Sequence, residues 1–200
     1  MKEPTQHPSP ITQHPKPNAQ RGGAKLRKGM VHIYTGDGKG KTTAALGLSL
    51  RALGWGFRVC FIQFVKGYPD IGEMRIAPTF EGKFEIHQFA LDVSRSIDER
   101  KVLARREAAE EAMRFAESAV KSGKYDLVVL DEINVAVHYG LIDKERVLAL
   151  ISRKPKGVEL VLTGRNAKQE IIEAADYVSV IHKYKHPYDR GVLARKGIDY

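Results

Sequence analysis

A glycine-rich run is the first feature of this 200-residue sequence that could perform chemistry. It reads T-G-D-G-K-G-K-T-T over residues 35–43 and follows a short β-rich segment. Gly36, Gly38 and Gly40 allow a tight turn in which several backbone N–H groups converge on an anion. A helix that begins near Lys41 directs the positive end of its dipole to the same point. The run therefore predicts a phosphate-binding loop.

The side chains of the loop fit this prediction, but its glycine spacing is unusual. Lys41 adds a mobile ammonium group, and Thr42 offers a hydroxyl to a bound Mg²⁺ ion. The usual pattern, G-x-x-x-x-G-K-[ST], would place its first glycine at Thr35, whereas the glycine stands one residue later, at Gly36. We therefore expect the phosphates to lie differently from those of an ordinary ATPase. The alternative is a purely structural turn, against which Gly-Lys-Thr-Thr at the start of a helix argues.

A pair of acids follows an apolar segment farther along the chain. The segment 126–130 predicts a strand buried on both faces, and Asp131 and Glu132 come directly after it. A carboxylate at the tip of such a strand, beside a phosphate loop, is the Walker B arrangement that holds Mg²⁺ (or Mn²⁺) directly or through water. Taken alone, the two acids would be interpreted as caps of a short helix. Combined with the loop, they predict a metal ligand in at least one of the two.

Alternating strands and helices would position these residues. The pattern predicts a doubly wound α/β fold with a mainly parallel sheet flanked by helices, in which ligands bind at the carboxyl ends of the strands. On the first helix the predicted core stripe is Ala44, Ala45, Leu48 and Ala52; on the longest helix it is Val102, Ala109, Met113, Ala116 and Val120. The predicted strands are 30–35, 57–64, 84–89, 126–130, 158–163 and 177–181, and the predicted helices are 41–54, 96–121 with a capping box at Ser96 and Glu99, 143–152 and 167–175.

The net charge of +9 is concentrated at the N-terminus. Residues 1–29 carry six basic residues and one acid, five of the nine prolines, and two copies of a T-Q-H-P-x-P segment. This composition predicts a Pro-rich basic tail over 1–29, disordered to about residue 24, before a nucleotide-binding domain over 30–200. A nucleic-acid arm or a proline-rich ligand is the functional alternative, and a solubilising leader is the interpretation that composition favours.

The composition also excludes several classes of protein, among them disulfide-rich and membrane-spanning proteins. The single cysteine, Cys60, excludes an internal disulfide framework and a multi-cysteine zinc site, and its apolar strand predicts a core position. No apolar run is long enough to span a bilayer, and no secretory signal is visible. We expect a cytoplasmic protein that binds neither membranes nor nucleic acid.

Five segments in one order resemble the P-loop type of corrinoid adenosyltransferase, which transfers adenosyl groups from ATP to cob(I)alamin. The resemblance covers about residues 30–200, and the displaced loop glycine and the C-terminal G-I-D-Y are its most specific elements. The segments are T-G-D-G-K-G-K-T-T at 35–43, Q-F-V-K-G at 63–67, V-V-L-D-E-I-N at 128–134, V-L-T-G-R at 161–165 and K-H-P-Y-D-R-G-V-x-A-x-x-G-I-D-Y at 185–200.

The resemblance implies a P-loop NTPase-like fold, a homodimer, and transfer of the 5′-deoxyadenosyl group of ATP to the cobalt of a reduced corrinoid with release of triphosphate. It implies Mg²⁺ at Thr42, Asp131 and Glu132, catalytic roles for Lys41 and Glu132, and closure of the site by Lys66 and residues 185–191. The nucleotide-binding residues that it implies are Gly36, Asp37, Gly38, Lys39, Gly40, Lys41, Thr42, Thr43, Arg51 and, after a later strand, Arg165.

In the reaction that the resemblance implies, the protein has mainly to bind and position the two substrates. Cobalt(I) is a strong nucleophile that needs no general base, and the chain has no redox centre of its own, so we expect an external reductase, a flavoprotein. The family often carries Gly-Phe-x-Trp after the third strand to displace the lower cobalt ligand. Residues 90–97 lack it, and Phe84 and Phe89 are as well explained as strand core.

Two other function classes remain open. Another P-loop ATPase or kinase could use the same loop with Glu132 orienting a water molecule, and would form ADP without a corrinoid. A nucleic-acid-binding module could use the basic tail, and its binding would weaken steeply with salt.

Overall fold

The computed structural model describes residue 26 and residues 28–65, 70–89 and 99–200. The predictions for the tail up to residue 24, for Lys66, for the capping serine Ser96 and for the segment 90–97 lie outside these ranges.

Six parallel strands form one sheet in the order β3-β2-β4-β5-β1-β6. Helices flank this sheet, which confirms the predicted P-loop NTPase-like α/β fold. Every predicted strand is present, with its ends within two residues of the expected positions. The strands are β1 (Val31–Thr35), β2 (Val59–Gln63), β3 (Phe84–Gln88), β4 (Leu127–Asp131), β5 (Glu159–Thr163) and β6 (Tyr177–Val180).

The longer helices lie where the sequence predicts them, whereas short helices were harder to predict. The first helix begins and ends at the predicted residues, and α2 was not predicted because five residues give little more than one turn of periodicity. The helices are α1 (Lys41–Gly54), α2 (Gly72–Ile76), α3 (Glu99–Lys121), α4 (Ile133–His138), α5 (Lys144–Arg153) and α6 (Gln169–Glu173), with 3₁₀ turns at Ala77–Phe80 and Pro187–Arg190. No helix in the described ranges is long and apolar enough to cross a membrane.

In the predicted core stripe of α1, Ala45 is buried, Leu48 and Ala52 pack against the core while partly exposed, and only Ala44 is wrong. The buried face of α1 is Lys41, Ala45, Ser49 and Leu53, whereas Ala44 is exposed. Residues four apart lie on one side of a helix, so this series also includes Lys41 and Ser49, two polar residues that an apolar pattern leaves out. The hydroxyl of Ser49 donates to the carbonyl of Ala45 at 2.8 Å, which satisfies a polar group inside this interface.

The stripe of α3 is correct except at its N-terminal end. Ala109, Met113, Ala116 and Val120 are buried, but Val102 is 44% exposed. The residues next to Val102, from 101 to 104, are all exposed, so among the described residues no strand covers this end of the helix.

We expect Met113→Ala to lower the free energy of unfolding by about 2–5 kcal/mol, because it opens a cavity in a fully buried position. Val102→Ala is the matched control and should change this free energy by less than about 0.5 kcal/mol. Urea denaturation followed by circular dichroism measures both. Equal effects of the two substitutions would contradict the assignment of the core face.

Two interior strands of the sheet, β2 and β4, are apolar except for the last residue of each, Gln63 and Asp131. All five residues of β2 and all five of β4 are buried. Burial raises the pKa of the Cys60 thiol to about 12, so the prediction of a core cysteine is confirmed. Phe84 is also buried in the core, with its ring edge-on to those of Phe61 and Phe80.

The order of the strands decides which loops meet. β5 lies between β1, which leads into the glycine-rich loop, and β4, which ends in the acidic pair. The carboxyl ends of β1, β5, β4, β2 and β3 therefore form one row along an edge of the sheet, where doubly wound folds bind their ligands.

Candidate functional site

A cavity of about 420 Å³ lies along this edge of the sheet. It brings together the phosphate loop, the end of β4, the loop after β5, the ends of β2 and β3, and the C-terminus. The lining residues are Gly38, Lys39, Gly40, Lys41, Thr42, Thr43, Leu46, Gln63, Ile71, Gly72, Glu73, Gln88, Glu132, Arg165, His186, Gly197, Ile198, Asp199 and Tyr200.

The first half of the loop packs against the chain that follows β6. The N–H of Gly38 donates to the carbonyl of Ile181 at 2.7 Å. A Cβ at Gly36 or Gly38 would lie only 2.4 or 2.7 Å from the carbonyl oxygen of Ile181 or His182. Glycine is therefore required at both positions by close backbone approach, and at Gly36 also by a φ of +98°.

Asp37 is placed outside the cavity. Its carboxylate accepts the N–H of Lys183 at 3.0 Å, and this hydrogen bond lowers the pKa of Asp37. Asp37 and Gly36 thus hold the loop to the sheet edge, while Gly38 to Thr43 face the cavity. Within one sequence motif, Gly36 and Asp37 therefore attach the loop, and the residues from Gly38 onward line the cavity.

The second half of the loop leads directly into α1. Gly40 precedes the helix with a φ of +124°; no side chain caps it, and the first turn holds no acid. The start of α1 lies at the cavity, where the positive end of the helix dipole favours an anion. The Lys41 side chain is buried and donates from Nζ to the carbonyl of Gly38 at 2.6 Å, so its charge is held within the loop.

Asp131 connects three elements beneath the loop. It is fully buried, and its Oδ1 accepts the hydroxyl of Thr42 at 2.9 Å and that of Thr163 at 2.6 Å. Thr163 Oγ1 in turn accepts the N–H of Glu132 at 2.9 Å. The start of α1 and the ends of β4 and β5 are thereby fixed relative to one another.

Thr163 was not among the predicted site residues, although it lies in the V-L-T-G-R segment. The signal that could have identified it is a polar residue at the end of an apolar strand. We expect Thr163→Val to lower the free energy of unfolding by about 1–3 kcal/mol, because it removes a donor to buried Asp131 and the acceptor of the Glu132 N–H. Thr163→Ser, which keeps both contacts, is the control. Urea denaturation that finds the valine variant as stable as the serine variant would exclude this role.

Glu132 adopts an unusual backbone conformation that separates it from its neighbour. Its φ and ψ are 64° and 19°, in the left-handed region, and it precedes α4. Asp131 stays buried while Glu132 lines the cavity. A strained non-glycine residue held in place by Thr163 is typical of a functional position.

The oxygen atoms at this point suit Mg²⁺. A threonine hydroxyl and two carboxylates form an all-oxygen donor set at the base of the phosphate loop. The described residues hold no cluster of three or more His, Cys, Asp and Glu side chains. Mg²⁺ needs no such cluster, because it is usually bound by one or two carboxylates together with phosphate oxygens and water.

The two predicted arginines lie in different places. Arg165 follows β5 by two residues and lines the cavity. Arg51 lies ten residues after Lys41 on α1, an axial distance of about 15 Å, and is exposed. The helix runs away from the sheet edge, so Arg51 is not brought to the cavity, and its contact with nucleotide stays a prediction.

A polar chain at the far end of the cavity was missed. Gln88 Nε2 donates to Gln63 Oε1 at 2.6 Å, and Gln63 Nε2 donates to Glu73 Oε1 at 3.3 Å. Gln63 is fully buried beneath this end. Of these residues, the sequence motifs included only Gln63, in the segment Q-F-V-K-G. A glutamine at the end of an apolar strand is the signal that could have indicated both Gln63 and Gln88 as site residues.

Comparisons with known proteins agree with the motifs. The family model described as ATP:corrinoid adenosyltransferase BtuR/CobO/CobP matches residues 27–200. A corrinoid adenosyltransferase of Pseudomonas aeruginosa is 34% identical over 178 residues, which cover 88% of this chain and 86% of that protein. One of Escherichia coli K12 is 34% identical over 177 residues, 88% of each chain.

A solved structure supports the fold alone. The flagellar accessory protein FlaH from Methanocaldococcus jannaschii superposes with a TM-score of 0.50 at 11% identity, covering 78% of this chain and 72% of that one.

Proposed function

This chain belongs to the ATP:corrinoid adenosyltransferase family, and from that membership we propose how its own residues carry out the reaction. The enzyme transfers the 5′-deoxyadenosyl group of ATP to the cobalt of a reduced corrinoid. The cobalt–carbon bond forms with the electron pair of cobalt(I), and the bond between C5′ and oxygen breaks with its pair leaving on triphosphate. The observation that carries the proposal is one cavity lined by the loop with Lys41 and Thr42 and by Glu132, with Asp131 bound to Thr42 beneath it.

The triphosphate lies on the second half of the loop in this proposal. Residues 38–43 face the cavity, and the start of α1 adds the positive end of its dipole at the same place. Lys41 neutralises negative charge that grows on the leaving group, which is the kind of interaction that lowers a reaction barrier. Arg165 lies on the same cavity wall and adds a second cation.

Mg²⁺ is held by Thr42 and Glu132 in this proposal, with Asp131 fixing the hydroxyl of Thr42 from below. The ion would screen the charge of the triphosphate chain. The protein residues would provide its oxygen ligands, and the Thr163 contacts hold the Asp131 carboxylate and the Glu132 backbone in place.

No general base takes part in this mechanism. Cobalt(I) carries no proton to remove, so the protein has to hold C5′ in line with the cobalt and keep the triphosphate in place. The cavity extends from the loop to Gln63 and Gln88, which gives the nucleoside and the corrinoid a polar wall opposite the phosphates.

A separate reductase, of the flavoprotein class, supplies the electron that forms cobalt(I). The only cysteine of the sequence is buried in β2 with a strongly raised pKa, so the chain offers no exposed thiol for electron transfer. A cytoplasmic location is also proposed, since the reaction consumes ATP and the chain uses cysteine sparingly.

A homodimer is proposed through the edge strand β6. Tyr177, Val178 and Val180 are 53%, 41% and 50% exposed, and the described residues place no strand beyond β6. An open edge with apolar side chains is a surface that proteins usually cover. Sedimentation should show a dimer that Val178→Lys shifts toward monomer, whereas Leu103→Lys, on the exposed side of α3, should not. A monomeric wild-type protein would contradict this proposal.

The activity is tested by mixing the full chain with Mg-ATP and chemically reduced cobalamin under anaerobic conditions. The proposal expects the absorption spectrum of an alkylated, light-sensitive cobalt, dependent on both substrates. Cobalamin kept oxidised is the control and should give no product. ADP formation at the same rate with and without corrinoid, and no cobalt–carbon bond, would favour the ATPase or kinase alternative instead.

A further inference from the structure

The C-terminal turn, residues 195–200, forms one wall of the cavity. The N–H groups of Ile198 and Asp199 donate to the carbonyl of Arg195 at 3.2 and 2.8 Å, and the N–H of Gly197 donates to the carbonyl of Tyr200 at 2.9 Å. All six residues are exposed, and the last four line the cavity. The turn is therefore a surface feature that the hydrophobic core does not hold in place.

Lys39 joins the C-terminal turn to the phosphate loop. Its Nζ donates to the carboxylate of Asp199 and, at 3.2 Å, to the carbonyl of Ile198. The other lysine of the loop, Lys41, donates to Gly38 within the loop. An ammonium group has three donors. Two of those on Lys39 bind the turn, so one remains to meet a phosphate oxygen.

Asp199 is held as an anion by several donors. Besides Lys39 it accepts the backbone N–H of Arg195 at 2.9 Å and its Nε at 3.1 Å. The Lys39 ammonium and then the two Arg195 donors hold the pKa of Asp199 well below its usual range. Because two cations neutralise this carboxylate, a triphosphate can bind beside it without facing an unpaired negative charge.

The C-terminal turn also contacts the segment that precedes α2. Lys196 Nζ lies 2.7 Å from a carboxylate oxygen of Asp70, whose other oxygen binds Arg75 at 2.5 Å. Asp70 directly precedes Ile71 and Gly72, which line the cavity. The turn is thus attached both to the phosphate loop and to the segment that leads into α2.

We propose that Asp199 is a positioning residue for ATP: it holds Lys39 and the C-terminal turn against the phosphate loop, so that the turn completes the nucleotide site. This inference rests on the proposed function of the cavity as an ATP site. Asp199 does not touch the reacting carbon in this proposal. Its loss should therefore weaken ATP binding and leave the transfer step nearly unchanged once ATP is bound.

The test is titration calorimetry of Mg-ATP without corrinoid, so that it does not depend on adenosyl transfer. Asp199→Asn and Lys39→Ala should each raise the dissociation constant of ATP about tenfold or more, the usual effect of losing a hydrogen bond to a charged group. The double variant should bind no more than about twofold more weakly than Lys39→Ala, because both changes break one contact. Glu170→Gln, which neutralises an exposed carboxylate paired with Lys144, is the matched control and should bind as the wild type does.

Kinetics with saturating corrinoid provide the second readout. Asp199→Asn should raise KM for ATP and keep kcat within about threefold of the wild type. Asp199→Glu should restore part of the affinity, and a chain ending at residue 194, which loses only exposed residues, should reproduce the Asp199→Asn defect.

Wild-type ATP affinity in Asp199→Asn, or independent effects that multiply in the double variant, would overturn the inference. If the wild type binds ATP but makes no cobalt–carbon bond, the proposed function fails, while the titrations still decide the role of Asp199.

Discussion

Replacing Lys41 with methionine should lower kcat about 10²–10³-fold, the effect of removing one preorganised charge from a developing anion. The Lys41 side chain is buried, and its ammonium lies 2.6 Å from the carbonyl of Gly38 in the middle of the loop. Methionine keeps an unbranched side chain in this space but removes the charge and the hydrogen bond to Gly38. The rate of cobalt–carbon bond formation at saturating ATP and corrinoid measures the effect.

Lys156→Ala is the control for this substitution. Lys156 is an exposed lysine before β5, at the opposite edge of the sheet, and its loss should leave kcat unchanged. A Lys41→Met variant that folds normally and retains more than about a third of the wild-type kcat would exclude leaving-group stabilisation by this residue.

Replacing Asp131 with asparagine should lower the reaction rate about 10–100-fold at limiting Mg²⁺, as the loss of a group supporting a metal site usually does. Asparagine has the same shape and keeps one oxygen to accept the hydroxyls of Thr42 and Thr163. The substitution therefore removes the charge and preserves the contacts. Rates measured across a range of Mg²⁺ concentrations should show a higher half-saturating concentration and partial recovery at the highest ones.

Two further variants sharpen the interpretation of Asp131→Asn. Asp143→Asn, at an exposed position before α5, should leave the Mg²⁺ dependence unchanged. Glu132→Gln should shift it in the same direction as Asp131→Asn, because both carboxylates belong to the proposed metal site. A rate defect in Asp131→Asn that is the same at every Mg²⁺ concentration would contradict a role of this residue in metal binding.

The sequence predicted the sheet well because its strands are short, apolar and bounded by turn residues. The segments around Cys60 and Val129 are apolar on both faces, which is typical of a parallel strand between two helical layers. The helical faces were harder to predict. On α1 the buried face includes the polar residues Lys41 and Ser49, and at Val102 a regular apolar pattern continues onto an exposed end of α3.

The candidate site was predictable where one segment forms it, and less so where several meet. The loop and the Asp131–Glu132 pair follow local rules of spacing and chain direction. Thr163, Gln88 and Asp199 lie 32, 25 and 160 residues from their partners, and only the tertiary fold places them together. Glu132, with its left-handed backbone, likewise donates its N–H to a side chain of another strand.

The most direct test of the central claim is the fate of the phosphate chain of ATP. Mg-ATP labelled in its γ-phosphate is mixed with the enzyme and reduced corrinoid, and the phosphate products are separated after a single turnover. Because the bond to C5′ is the one that breaks, one intact triphosphate should be released for each cobalt–carbon bond formed. Label recovered in free phosphate beside ADP, or cobalt alkylation without an equal amount of triphosphate, would contradict adenosyl transfer with release of triphosphate.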